Sequence, residues 1–230
     1  MVKHFDRITL AVPDLQLATE DYRQLLDVQP LTDSRSEAGA EAVWFELPNT
    51  TIELVEYADE KSRIVGLVFA ADCSELDPGV IENPLGLDLR LCEATDRQQA
   101  VSANSEANRF SVDHLVLRTR SAERCIEVFS QQLGIRLALD RLEPKWGGRM
   151  LFFRAGKLTL EVIEPIEKKA ISDDFWGIAY ACADLKSKVD TLGAQGLQVS
   201  EVRKGRKPGT VVATVKSHCL DIPTLLIGPA

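Results

Sequence analysis

This 230-residue chain repeats itself, and that restricts its fold more than any other feature. The segment FDRITLAVPDLQLATEDYRQLLDVQPLTD, starting at Phe5, aligns without a gap to VDHLVLRTRSAERCIEVFSQQLGIRLALD, starting at Val112. The offset of 107 residues pairs Asp6 with Asp113 and, at the far end, Asp33 with Asp140. After one inserted residue, WFELPNTTIELVEY realigns with FFRAGKLTLEVIEP and sets Glu53 against Glu161. Self-similarity at a fixed offset means that one supersecondary unit has been used more than once.

Each copy reads as a strand, a helix and further strands. Phe5–Val12 and Val112–Thr119 alternate with a period near two and are rich in Val, Ile, Leu and Thr. Asp14 and Ser121 are good N-caps. Behind them Leu15, Ala18, Tyr22, Leu25 and Leu26, and then Cys125, Ile126, Phe129 and Leu133, each form one helical stripe. Ala42–Leu47 with Thr51–Val55, and Met150–Arg154 with Leu158–Ile163, read as hairpins across Pro48-Asn49 and Ala155-Gly156. Two weaker copies follow the strong ones. RIVGLVFAAD leads through Cys73–Leu76 to a closing LGLDLRLCE, and FWGIAYACADL leads to a helix carrying Leu185, Val189 and Leu192 that stops at Gly196, then to a last strand Ile222–Ile227. The expected fold is α+β, with four tandem βαβββ modules, the second shortened, forming two sheet-cup domains. The boundaries are 1–92 for the N-terminal domain, 93–109 for a polar linker and 110–230 for the C-terminal domain.

Composition narrows the partners. The formal net charge of −8 argues against nucleic acid as the general partner, because phosphate binding needs a basic footprint. No apolar run reaches the ~18 residues of a membrane span, and the N-terminus lacks the apolar core of a signal peptide. The five cysteines are scattered without a CxxC pair, which fits reduced thiols in the cytoplasm. They have no evident base beside them, so a thiol nucleophile is unsupported. The expected partner is a small molecule, with no nucleic acid and no membrane. A homodimer is compatible with the sequence.

Strand parity sorts the side chains. Ile8, Leu10 and Val12, like Leu115 and Leu117, belong under the helix. Arg7, Thr9 and Ala11, like His114, Val116 and Arg118, belong on the opposite face, joined there by Glu53 and Glu161. Each strong copy therefore puts a titratable pair on the face away from its helix. At the position of His114 the weak copies have Gly66 and Gly177. Around Gly177 the face is Gly177, Ala179 and Ala181, small residues that leave room for a ligand.

VDHLVLRTRSAERCIEVFSQQLGIRL resembles the opening strand and helix of the vicinal oxygen chelate superfamily, and LTLEVIE its closing strand. That superfamily includes glyoxalase I, extradiol dioxygenases and the fosfomycin and bleomycin resistance proteins. The resemblance implies a cup made of two modules, in which a divalent metal is held by a His of the first strand and a carboxylate of the last. His114 and Glu161 stand at those positions. It leaves two function classes open. One is a glyoxalase- or dioxygenase-like enzyme (lyase, isomerase or dioxygenase) acting on a small oxygenated, anionic metabolite in the C-terminal cup. The other is a metal-free protein of the bleomycin-resistance type that binds or sequesters a small molecule without turnover.

The donor set departs from the family's pattern. The fourth module offers Gly177 and Leu225 where ligands would stand, and the N-terminal half offers Arg7, Glu53, Gly66 and Asp88, of which the arginine cannot ligate. His114 and Glu161 are thus either an incomplete site for Fe, Mn, Ni or Zn, a metal-free acid–base dyad, or an inherited polar pair; no metal at all is equally compatible. Arg7 and Glu53 are expected to form a structural ion pair. Trp146 and Arg149, in the loop LEPKWGGRM, are expected to rim the cup as ligand-binding residues with Gly177 and Ala179. RKGRKPG at 203–209 brings four cations that either clamp an anion or cap a solvated hairpin. Trp44 and Trp176 are expected in the core, a full metal site would need a recruit such as His218, and His4 and His218 otherwise read as surface or packing histidines.

Overall fold

A computed structural model describes residues 1–35, 41–58, 60–72, 77–94, 110–166 and 172–230. The N-terminal half runs β1 (Val2–Val12), α1 (Leu15–Leu26), β2 (Leu31–Arg35), β3 (Glu41–Glu46), β4 (Thr51–Glu56), β5 (Arg63–Ala71), β6 (Gly79–Val80) and β7 (Asp88–Glu93). The C-terminal half runs β8 (Ser111–Arg118), α2 (Ala122–Cys125) continuing as a π-helical run (Ile126–Gln132), β9 (Arg136–Glu143), β10 (Gly148–Ala155) and β11 (Leu158–Pro165). It ends with β12 (Asp174–Ala181), α3 (Leu185–Ala194), β13 (Arg203–Lys204), β14 (Thr210–Val215) and β15 (Thr224–Pro229).

The strands form two mixed sheets, β2-β3-β4-β1-β5-β7-β6 and β13-β14-β15-β12-β8-β11-β10-β9. The repeat is visible in the pairing. In every module the first strand pairs in parallel with the last: β1 with β4, β5 with β7, β8 with β11 and β12 with β15. First strands of neighbouring modules meet antiparallel, β1 with β5 and β8 with β12, which makes one sheet of two modules. The second module supplies three strands rather than four, so the first sheet has seven strands and the second eight. The expected segment Cys73–Leu76 and most of the expected linker, 95–109, lie outside the described residues.

Capping works as the composition demands. Asp14 accepts from the Leu17 amide at 2.8 Å and Ser121 from that of Arg124 at 3.4 Å. The first helix ends on Asp27 in the left-handed conformation (φ 56°). Its counterpart widens instead: the Leu133 amide reaches back to the Val128 carbonyl, a π-type bond. This turn buries Val128 beside Phe129 and leaves Ile126 only half-buried.

The helix-bearing faces of both sheets share one core. A row of rings, Phe5, Phe69, Phe129 and Phe153, crosses from one half to the other with centroids 5.1, 6.4 and 5.4 Å apart. Among the described residues no helix is long and apolar enough to cross a membrane. With the helix faces spent on the core, the two opposite faces are left to differ. On the first sheet Arg7, Glu53, Val68 and Ala70 are all buried. On the second the same face lines an open cavity of about 1400 Å³.

Candidate functional site

His114 lies on β8 and Glu161 on the parallel neighbour β11, two residues out of register: His114 faces Thr159, and Glu161 faces Val116. Both side chains point into the cavity. His114 Nε2 lies 3.5 Å from Glu161 Oε2, and Nδ1 lies 2.8 Å from Asp113 Oδ2. Asp113 thus fixes the ring, and Nε2 is the nitrogen turned to the cavity. The 3.5 Å gap is longer than a good hydrogen bond. A ligand oxygen can therefore compete for either partner. Burial pushes the Glu161 carboxyl above its ordinary pKa, partly offset by His114 and Arg206. The bond to His114 holds the Asp113 carboxyl below its own ordinary value, against its burial.

The first half serves as an internal reference for this pair. Glu53, the counterpart of Glu161, is 2% exposed and fully engaged: Thr9 donates to Oε2 at 2.7 Å and the Trp44 indole to Oε1 at 3.1 Å. Those two donors sit directly across the sheet from Glu53. The residues directly across from Glu161 are Val116 and Phe152, which cannot donate. The same backbone therefore holds a satisfied, structural carboxylate in one copy and an under-satisfied one, open to a cavity, in the other.

Arg7 does not meet Glu53 as expected. It lies 3.6 Å from Asp6 through Nε and stacks 4.8 Å from the Trp44 ring centre. The register explains the difference, because Thr9 and not Arg7 faces Glu53. Trp44 accordingly belongs to this polar face. Trp176 is no core residue either: it is 44% exposed, lines the cavity and lies 5.9 Å from the Arg118 guanidinium.

Gly177 and Ala179 both line the cavity. Gly177 has a further reason to be glycine. A Cβ there would come within 2.5 Å of the Pro223 carbonyl oxygen, so close backbone approach, as well as cavity space, demands it. Arg149 does not rim the cavity. In β10 the cavity takes Met150, Phe152 and Arg154, so parity turns Arg149 to the helix side, where Asp140 and Glu123 hold it at 2.7 and 2.6 Å. The Trp146 side chain lies outside the described residues.

The residues of the RKGRKPG turn do reach the site: Arg203, Lys204, Arg206 and Lys207 all line the cavity. Arg154 and Lys157, at the β10–β11 turn, join them and were missed by sequence reasoning. Parity could have found Arg154, two residues from Phe152 on the same face. Asp113 was missed as well, although it adjoins His114. Among the described residues the lining holds eight Lys or Arg against three Asp or Glu, the reverse of the chain's overall balance.

Among the described residues the donor set does not fit a resident catalytic metal. The opposing strands β12 and β15 present Gly177, Ala179 and Leu225 to the cavity, none of which can ligate. His218 is turned elsewhere, with Nε2 3.9 Å from Asp21 on α1. Among the described residues no three His, Cys, Asp or Glu side chains are grouped to hold a metal ion. Among the described thiols, burial pushes Cys125 up to about 12 and raises Cys182 and Cys219 above their ordinary value, which disfavours the thiolate at all three.

Residues 113–214 match the profile of the Glyoxalase/Bleomycin resistance protein/Dioxygenase superfamily. Among solved structures, a mutant of 4-hydroxymandelate synthase from Streptomyces coelicolor superposes with a TM-score of 0.74 at 14% identity, over 100% of this chain and 93% of that one. A halotolerant catechol dioxygenase gives 0.65 at 11% identity, over 99% and 87%. A xylose isomerase-like TIM barrel/4-hydroxyphenylpyruvate dioxygenase fusion protein gives 0.66 at 12% identity, over 100% and 49%. At such identities the likeness is one of fold. No curated protein matches the chain by sequence.

Proposed function

We propose, from the match of residues 113–214 to the Glyoxalase/Bleomycin resistance protein/Dioxygenase superfamily, that the C-terminal cup binds a small oxygenated carboxylic acid and moves a proton on it through His114 and Glu161 without a metal. The observation that carries this reading is the contrast between Glu53, saturated by Thr9 and Trp44, and Glu161, which faces a cavity with His114 beside it.

Asp113 holds the Nδ1 proton in place, so His114 and Glu161 share the remaining one. With that proton on Nε2, the Glu161 carboxylate is the base; with it on Glu161, the Nε2 lone pair is the base. Abstraction of a proton from carbon beside a carbonyl leaves the electron pair as an enolate, and the cations lining the cup stabilise that charge. Return of the proton to another face or atom completes an isomerisation; loss of a leaving group from the enolate completes a lyase reaction.

Proton exchange tests this directly. A panel of 2-oxo and 2-hydroxy acids and their methyl esters is incubated with the protein in deuterated buffer and followed by NMR, with and without a chelator. Exchange is expected for an acid but not its ester, insensitive to chelation, and ~10²–10⁴-fold slower in Glu161→Gln and His114→Asn. Exchange abolished by chelator would return the pair to metal binding. Acids that bind without exchange would make the protein a sequestering one.

A further inference from the structure

Ligand class and orientation follow from how the cavity's charge is distributed along the strands. Three cross-sheet rows of cavity residues can be read from the register. The row through His114 contains Arg136, Arg154, Thr159 and Ala179. The next contains Leu139, Phe152, Glu161, Val116 and Gly177. The third contains Arg141, Met150 and Ile163. From the His114 row to the Arg118 end of β8, four residues on, is about 13 Å at the usual strand rise.

Charge is concentrated at one end. Arg154 stands in the His114 row, with Lys157 in the turn that follows it. Lys207, in the turn after β13, lines the same cavity, and after the bond to His114 its charge and that of Arg154 help to hold the Asp113 carboxyl low. Among the described residues neither Arg154 nor Lys207 makes a salt bridge. At the other end Arg141 is paired with Glu143 at 2.8 Å, which cancels the charge there. What remains is apolar: Val116, Phe152, Met150 and Ile163, with Leu139 and Trp176 beside them at 47% and 44% exposure. Large apolar side chains open to solvent along one wall of a cavity are a surface awaiting an apolar ligand. The volume of about 1400 Å³ also exceeds the ~300–1,000 Å³ of ordinary small-molecule pockets.

We propose that the cup takes an amphipathic anion, its oxyanion head held by Arg154 and Lys207 and its ring-bearing or acyl body lying over Phe152, Met150, Ile163 and Trp176. This rests on the reading of the C-terminal cup as the site. It adds that the substrate is no compact acid, and that its reacting carbon lies where head meets body, at His114 and Glu161.

Calorimetric titration with four probes tests it: 2-naphthoate, 2-naphthyl phosphate, the uncharged 2-naphthalenemethanol and acetate. The His114 imidazole signal is followed by NMR in parallel. At least one naphthyl anion is expected to bind tenfold or more tighter than both the alcohol and acetate, and to shift the imidazole. Naphthoate ahead of the phosphate would assign the head to a carboxylate, and the reverse order to a phosphate. Arg154→Gln with Lys207→Gln should bring the anions down to the affinity of the alcohol and leave the alcohol unchanged. Trp176→Ala, at an exposed position, should weaken all three naphthyl probes together. If acetate matches naphthoate and both shift the imidazole, the amphipathic proposal falls while the acid-binding cup stands. If no probe binds or moves His114, both fall.

Discussion

Thr9 and Val116 occupy the same place in two copies of one module, and that difference decides which carboxylate is structural. Thr9→Val removes a donor from a buried Glu53 and should cost ~1–3 kcal/mol in chemical denaturation. The reciprocal exchange, Val116→Thr with Phe152→Trp, should give Glu161 the two donors that Glu53 has. Glu161 should then titrate lower by NMR, and any exchange activity should fall. The raised pKa also sets a sign for stability. A carboxyl that holds its proton more tightly when folded favours folding below the unfolded-state pKa, and that contribution is lost as pH rises through the folded value. Glu161→Gln lacks this loss, so its stability relative to wild type should rise across that window. Urea midpoints at several pH values would check it. An unchanged difference would mean that Glu161 is not perturbed. His114 and Glu161 were legible in the sequence because parity and the repeat both pointed to them. Arg7 was misjudged, since residues sharing a face need not share a register. Arg149 was chosen for its neighbours in the chain, and the parity rule that placed His114 would have turned it away from the cup.

The strand–helix–strand order, the caps and both hairpins were legible at the scale of elements because they depend on local chemistry: alternation, an Asp or Ser before a helix, a turn at Gly156. The π-helical run was not, since Cys125, Ile126, Phe129 and Leu133 fit an ordinary helical stripe just as well. Only packing against the shared core distinguishes the two, by burying Val128 in place of Ile126. The last strand begins at Thr224 rather than Ile222, because Pro223 presents its carbonyl to β12, accepting from the Ile178 amide at 3.0 Å. Gly177 lies against that junction. Gly177→Ala should force the backbones of β12 and Pro223 apart at a cost of ~1–3 kcal/mol, read as a lower denaturation midpoint, even without ligand. No loss of stability would mean that the close approach is relaxed in solution.

Across the whole molecule the halves are joined by more than the chain. The Asn49 side chain, at the β3–β4 turn, donates to the Val112 carbonyl at 2.7 Å and accepts from its amide at 3.0 Å, so it completes the start of β8. Lys188 of α3 reaches Asp27 at 3.4 Å and lies 5.1 Å from the Phe110 ring centre. With one core beneath both sheets, heat should unfold the protein in a single transition whose calorimetric and van't Hoff enthalpies agree. Asn49→Ala should lower that transition by ~1–3 kcal/mol without splitting it; two resolved transitions would mean that the halves are independent. None of these contacts was legible in the sequence, because a shared core is a property of two surfaces together. The closed face of the first sheet, with its saturated Glu53, has a bearing on the chain's history. A gene that doubles a module gains a copy free to lose its ligand chemistry and be selected for holding the structure together. The other copy can then carry costly groups, such as an acid without donors and a crowd of like charges, that a lone module could not sustain. Divergent selection on such a pair would fall on opposite faces of the same ancestral design: on hydrogen-bond partners in the first cup, and on shape and charge in the second.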